Sequence, residues 1–149
     1  MKTSPRACLF RLGGQLFALP GEFTRQVHTV VNLRSVPKSP AMLRGLFPVR
    51  SNVLPLVSLE PLLGMDSQDH ALAVQMEFEG RELAFGVSEM IGFNPVDRSN
   101  LKPVPLEAGQ VGFVSSGVFL WGDQPVLVLD AAKLMTALSQ AFGAVRVMA

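Results

Sequence analysis

Short apolar segments alternate with glycine, proline and charged residues along almost the whole chain. These segments are rich in Val, Leu and Phe, a pattern that predicts many short β-strands rather than long helices. Two tight hairpins are predicted, Ala7–Leu12 with Gln15–Leu19 and Leu72–Phe78 with Glu82–Val87. Further strands are predicted at Arg25–Val31, Gly45–Val49, Val53–Val57, Val111–Ser115, Val118–Trp121 and Pro125–Leu129.

Two helices are predicted from their capping residues. Ser58 is placed to cap a short helix that continues to Leu63, and Asp130 is placed to cap a C-terminal helix. That second helix is expected to end near Phe142, where Gly143 stops it. Residues 92–110 contain several prolines and are predicted to be rich in loops. The fold class is therefore mainly β, with short helices and a C-terminal helix.

A weak internal repeat suggests that two similar units make up one domain, residues 1–149. The segment 10–20 aligns with 76–86, and the segment 52–63 aligns with 124–135, in the same order and at similar offsets. A copy of about 70 residues would bury only a thin core by itself. We therefore expect two small β-barrels packed face to face, approximately residues 1–66 and 67–149, with exchange of strands between them possible.

The composition of the 149-residue chain fits a soluble, apolar protein without a nucleic-acid partner. Hydrophobic residues make up 48% of it and charged residues 17%, so exposed apolar surface for a protein partner is expected. The net charge is only +1 and the basic residues are scattered, which argues against nucleic acid or an anionic membrane as a partner. No secretory signal, membrane-spanning run or disulfide is predicted, and a cytoplasmic location is the simplest expectation.

Candidate catalytic residues are few, and each has a structural interpretation. His28 lies in a strand pattern, and His70 lies in a polar loop near Asp66 and Asp69 without a second His or Cys to complete a metal site. Cys8 lies in an apolar run and is expected to be buried. No catalytic residue, metal site or cofactor is therefore predicted.

A binding surface remains as the best functional candidate. Arg50 lies in the turn between two apolar strands and is predicted to be presented to solvent or to another protein. An ordinary exposed turn arginine and a partner contact are both compatible with this position. Arg44 and Gly45 lie at the root of this hairpin, and the strand that follows Thr24 and Gln26 is expected near it.

Several segments, taken in order, resemble the CheW-like domain of bacterial chemosensory coupling proteins. The resemblance extends from Leu9 to Met135, and no single segment is specific without the others. The matching segments are FRLGGQLFALP from residue 10, PKSP from 37, RG from 44, Arg50 with VLPLVSL from 53, FGVSE from 85 and VLVLDAAKL from 126.

The resemblance implies two SH3-like five-stranded β-barrels around a shared hydrophobic core. It also implies a non-enzymatic cytoplasmic adaptor that couples chemoreceptor cytoplasmic tips to the regulatory domain of a CheA-type histidine kinase. Arg50 matches the arginine of the family's N-L-R-G motif, which is linked to coupling. Thr24, Gln26 and Gly45 fall near family positions associated with receptor contact.

The chain departs from the family pattern around the same hairpin. N-L-R-G is replaced by Pro48-Val49-Arg50-Ser51, and Ser58 stands where the family has an aspartate. Because proline has no backbone N–H, the edge of this hairpin cannot pair in the usual way. An adaptor of a pilus or twitching-motility pathway and a degenerate scaffold are the alternatives. A small β-barrel enzyme or ligand-binding protein is the less favoured one.

Overall fold

The computed structural model describes residues 6–142, which form ten β-strands, one α-helix and short 3-10 segments. The strands are β1 Arg6–Leu12, β2 Gln15–Pro20, β3 Thr24–Thr29, β4 Leu43–Val49, β5 Asn52–Val57, β6 Leu72–Phe78, β7 Arg81–Val87, β8 Glu89–Pro95, β9 Ser115–Trp121 and β10 Gln124–Leu129. The helix, α1, is Ala131–Ala141, and the 3-10 segments are Gly21–Phe23, Glu60–Leu63, Arg98–Asn100 and Leu106–Val114.

The strands form two five-stranded sheets with the same internal arrangement. The first sheet has the order β8-β1-β2-β10-β9, and the second has the order β3-β6-β7-β5-β4. In each sheet a tight hairpin is extended by a parallel strand on one side and an antiparallel strand on the other. The prediction of a mainly β fold with two five-stranded units, short helices and a C-terminal helix is confirmed, and the arrangement is consistent with two SH3-like subdomains.

The two sheets exchange hairpins between the two sequence repeats. The second sheet is the continuous segment from β3 to β7, whereas the first combines β1 and β2 with β8, β9 and β10. A boundary between residues 66 and 67 therefore separates the repeats but not the sheets. Two strands that pair in parallel need a long connection between them. The exchange of hairpins provides these connections, because other strands lie between β2 and its parallel partner β10 and between β5 and its parallel partner β7 along the chain.

The main hydrophobic core lies between the sheets, and many strands bury both faces. On β1, Cys8, Phe10 and Leu12 contribute to this shared core, while Ala7 and Leu9 belong to a second cluster within the first sheet. A third cluster lies within the second sheet. Helix α1 packs its apolar face against the shared core. Strands buried on both faces appear as continuous apolar runs, which explains the high hydrophobic content.

Two predicted elements in the second half of the chain were wrong. Residues 92–110 were predicted to be rich in loops, but strand β8 continues through this segment to Pro95. It contains Gly92 with φ 144°, and its pairing with β1 is irregular, so its sequence lacks a strand pattern. Val111–Ser115 was predicted to be a strand. It lies in a 3-10 segment kinked at Gly109, where the Ser115 hydroxyl donates to the Val111 carbonyl at 2.7 Å, and the strand begins only at Ser115.

The two predicted helix caps had different outcomes. The Asp130 carboxylate accepts a hydrogen bond from the Lys133 backbone N–H at 2.9 Å, which confirms it as the N-cap of α1. Ser58 is not a cap, because the 3-10 segment begins at Glu60 and the Ser58 hydroxyl donates to the Glu60 side chain instead. The predicted helix stop at Gly143 lies outside the described residues.

Candidate functional site

Arg50 lies at the tip of the β4–β5 hairpin, as the sequence predicted. Val49 and Asn52 form the last strand pair, so Arg50 and Ser51 make up the whole turn. Arg50 is exposed and has a φ of 57°, a left-handed conformation that costs a residue other than glycine about 1–2 kcal/mol. Backbone strain of this kind tends to persist at functional positions.

An exposed apolar ladder leads along the hairpin to this tip. It consists of two cross-strand pairs on one face, Leu46 with Pro55 and Pro48 with Val53. Val53 is 56% exposed and Leu46 is 38% exposed, although both are large aliphatic residues. Among residues 6–142, no side chain forms an ion pair or hydrogen bond with the Arg50 guanidinium. The hairpin thus presents an apolar face that ends in one available positive charge.

The outer edge of β4 is closed to strand addition. Leu46 exchanges two backbone hydrogen bonds of 2.8 Å with Arg34, in the loop that follows β3. Two residues further on, Pro48 has no N–H to offer to an added strand. A partner can therefore contact the apolar ladder on its face but cannot extend the sheet at this edge.

Gly45 is buried, and its environment explains why it is glycine. Its φ is 152°, and a Cβ atom at this position would overlap the Arg34 carbonyl. The backbone that approaches Gly45 thus belongs to the same chain. Gly45 supports the hairpin from inside, since it has almost no surface on which a partner could contact it directly.

A polar cluster, which the sequence analysis missed, holds the connection after β5 against the root of the hairpin. The Glu60 carboxylate, almost fully buried, accepts from the Ser58 hydroxyl at 2.8 Å and lies 2.6 Å from His70 Nε2. Arg44 forms an ion pair with Asp69, next to His70. His70, which the sequence places in a polar loop without a complete metal site, is therefore a structural residue. The spacing of Glu60 and His70 gives no local signal, because the contact depends on the path of the loop between them.

The other two candidate residues, Thr24 and Gln26, lie on β3, at the edge of the second sheet opposite β4. Thr24 is buried, and its hydroxyl donates to the Pro20 carbonyl at 3.2 Å, which indicates a structural role. Gln26 is exposed. Their strand nevertheless approaches the Arg50 hairpin, as the sequence predicted, since the His28 ring on β3 lies 6.2 Å from the Phe47 ring on β4.

The β3 edge lies close to the segment that follows β8, the edge strand of the first sheet. An ion pair of 2.9 Å between Arg98 and Glu22 joins the chain after β8 to the turn before β3. Apolar side chains are exposed on both strands, with Val27 on β3 at 37% and Phe93 on β8 at 42%. We name these exposed residues of the two edge strands, Gln26, Val27 and Phe93, the inter-sheet edge.

The remaining chemistry-bearing residues have structural partners or are buried. His28 Nε2 lies 2.7 Å from the Gln75 side-chain oxygen, and burial raises the pKa of the Cys8 thiol to about 12. Within residues 6–142, no three His, Cys, Asp or Glu side chains are grouped in a way that could hold a metal ion. No helix in the same range is both long and apolar enough to cross a membrane.

Comparisons with known proteins agree on one family. The model of the CheW-like domain matches residues 6–139. The chemotaxis protein CheW of Treponema pallidum (strain Nichols) is 24% identical over 136 residues, which cover 86% of this chain and 80% of that protein. The crystal structure of the scaffolding protein TtCheW from Thermoanaerobacter tengcongensis superposes with a TM-score of 0.75 at 17% identity, over 85% of this chain and 89% of that one.

Proposed function

Because the chain belongs to the CheW-like domain family, we propose that it is a non-enzymatic adaptor that couples chemoreceptor cytoplasmic tips to a CheA-type histidine kinase. Its relatives are a chemotaxis protein and a scaffolding protein. The observation that carries the proposal is Arg50, an available charge in a strained turn at the end of an exposed apolar ladder. An adaptor of this kind acts in the cytoplasm, where the receptor tips and the kinase lie.

The apolar ladder and Arg50 are the proposed contact for the regulatory domain of the kinase. Burying large apolar side chains supplies most of the affinity of a protein interface, while one arginine at its rim orients the partner. Since the β4 edge is closed by Arg34 and Pro48, the kinase domain is expected to pack on the face of the ladder. The partner surface should be apolar and carry a carboxylate that reaches Arg50.

The inter-sheet edge is the proposed contact for the receptor tip, which is helical in this family of assemblies. An amphipathic helix binds in an apolar groove, and Val27 and Phe93 offer exposed apolar surface on both sides of the junction. Gln26 is the polar residue of this surface that a receptor side chain could reach. Thr24, Gly45 and Arg44 would act indirectly in this scheme, by holding the strands and the hairpin in place.

Separate binding measurements test both contacts. The protein is titrated with the CheA-type regulatory domain and, independently, with a receptor-tip fragment from the same genome. Arg50→Glu should weaken kinase binding at least about tenfold and leave receptor binding unchanged. Val27→Asp should have the opposite effect. Each variant is thus the control for the other.

Single affinities are expected to be modest, because arrays gain strength from multivalency. The titrations therefore need to extend to high protein concentration. If neither partner binds even there, the proposed coupling function is wrong. If both variants weaken both partners equally, the two-surface assignment is wrong.

A further inference from the structure

An apolar groove of about 320 Å³ lies between α1 and the second sheet. Its walls are formed by side chains of β5, β7 and the last turns of the helix, and they include Pro55, Val57, Leu83, Met135, Leu138 and Phe142. At the rim, Arg81 Nη1 donates to the Ser139 hydroxyl at 3.1 Å and so joins β7 to the helix. The groove has room for a few apolar side chains, since it is roughly ten times the volume of one water molecule in the liquid.

The groove continues the apolar ladder of the β4–β5 hairpin. Because side chains alternate between the two faces of a strand, Val53, Pro55 and Val57 lie on the same face of β5. Val53 and Pro55 belong to the ladder, whereas Pro55 and Val57 line the groove. On β4, Leu46 pairs with Pro55 in the ladder, and Leu43 pairs with Val57 and lines the groove. The apolar surface therefore runs without a polar side chain on this face of β5 from the hairpin towards the helix.

A domain that packs on the ladder also reaches the mouth of the groove. Two residues along a strand span about 7 Å, so Pro55 lies one short step from Val53. A protein interface of standard size includes about 20–30 residues on each side, so it extends well beyond the two residue pairs of the ladder. The partner of the ladder is thus expected to cover the groove as well.

An uncharged apolar side chain is the group that fits this groove. A groove that is covered but not filled leaves its lining without dispersion contacts on one side, which favours a partner that fills it. The rim carries both Arg81 and Glu82, one positive and one negative charge, so it selects neither an anion nor a cation. The apolar lining disfavours any charged group, because a buried charge without a partner is costly.

From these observations we infer that the regulatory domain of the kinase, when it packs on the apolar ladder, inserts an apolar side chain into the groove between α1 and the second sheet. The contact then extends from Arg50 at the hairpin tip to helix α1. The filled groove is the desolvated centre of the contact, and Arg50 lies at its rim. This inference rests on the proposed adaptor function, because it takes the kinase domain as the partner of the ladder.

A pair of variants on α1 tests the inference by filling the groove in advance. Ser139 is half-buried and lines the groove, whereas Thr136 is exposed and lies on the other flank of the same helix. Ser139→Phe should weaken binding of the kinase domain at least about tenfold, because its ring takes the place of the inserted side chain. Thr136→Phe adds the same ring outside the groove and should leave kinase binding unchanged. Neither variant should change binding of the receptor tip.

Thiol protection detects the occupant of the groove without blocking it. Ser139→Cys and Thr136→Cys are each treated with N-ethylmaleimide, with and without a saturating amount of the kinase regulatory domain, and the reaction is followed by mass spectrometry. Cys8 is fully buried and therefore does not compete for the reagent in the folded protein. The kinase domain should slow the reaction of Ser139→Cys at least about tenfold and leave that of Thr136→Cys unchanged.

The outcomes separate this inference from the proposed function. If Arg50→Glu weakens kinase binding but the kinase domain does not protect Ser139→Cys, the inference is wrong and the adaptor function stands. Equal protection of both thiols would also overturn the inference, because the groove would then not be the site of insertion. If the wild-type protein does not bind the kinase domain at all, the proposed function is wrong and the inference falls with it.

Discussion

Replacing His70 with leucine is expected to destabilise the protein strongly, although His70 lies in a loop. The variant removes the group that lies 2.6 Å from the Glu60 carboxylate, whose side chain is only 3% exposed. Glu60 then keeps the Ser58 hydroxyl as a donor but has no cationic or imidazole partner. Leaving a buried hydrogen-bonding group without its partner typically costs about 1–3 kcal/mol, and more for a charged group.

The size of this loss is measurable against the stability of an ordinary domain. Unfolding free energies are about 5–15 kcal/mol, so the loss caused by His70→Leu should be a clearly measurable part of the total. In a chain of this length, 1 kcal/mol lowers Tm by about 2–4 °C, which gives an expected decrease of about 2–12 °C. Urea denaturation of the wild-type and variant proteins gives the free-energy difference directly.

Two controls separate the buried pair from loop effects. Glu60→Leu with His70→Leu removes both partners and should recover much of the lost stability, since an apolar replacement of a buried pair is often close to neutral. Arg98→Leu breaks the exposed pair with Glu22 and should cost no more than about 1 kcal/mol. A loss below about 1 kcal/mol for His70→Leu would refute the assignment of this cluster as a structural clamp.

Three further predictions concern other residues of the fold. Gly45→Ala should destabilise the protein by about 2 kcal/mol or more in urea denaturation, because the new Cβ overlaps the Arg34 carbonyl and the backbone is held at positive φ. A neutral effect would mean that the loop after β3 moves freely. Arg50→Gly should raise the free energy of unfolding by up to about 1 kcal/mol, since glycine adopts φ 57° without strain, and the same variant should weaken binding of the kinase domain. A decrease in stability would show that the arginine side chain has a structural role. Burial raises the pKa of the Cys8 thiol from 9.0 to about 12, so between pH 9 and 12 the thiol ionises in the unfolded chain but not in the folded protein. The free energy of unfolding of the wild type should therefore fall by about 1.4 kcal/mol per pH unit relative to Cys8→Ala, and parallel stability curves would contradict this.

The sequence predicts the regular parts of the fold because their determinants are local. Glycine turns between apolar runs define the β1–β2 and β6–β7 hairpins, and the Asp130 cap defines the start of α1. The position of Arg50 follows in the same way, since a short polar turn between two apolar strands is exposed. Strand β8 could not be predicted, because its irregular pairing with β1 involves residues about 80 positions away in the chain.

The environment of the candidate site depends on tertiary contacts and is therefore less accessible from sequence. Gly45 was expected at a binding surface, but a loop from before β4 covers it, and nothing near Gly45 in the sequence indicates that approach. Thr24 is likewise buried beneath the turn that leads into β3. The polar cluster of Glu60 and His70 forms only when the loop between them turns back over β5.

The exchange of hairpins between the sheets also determines when each sheet can be completed during synthesis. All strands of the second sheet have been made once Val87 leaves the ribosome. The β1–β2 hairpin emerges first, but its parallel partner β10 follows 110 residues later, on the order of ten seconds at ordinary translation rates. The hairpin made before the other strands is thus the last to gain its complete sheet, and its apolar faces are open to chaperones and to other nascent chains throughout that interval.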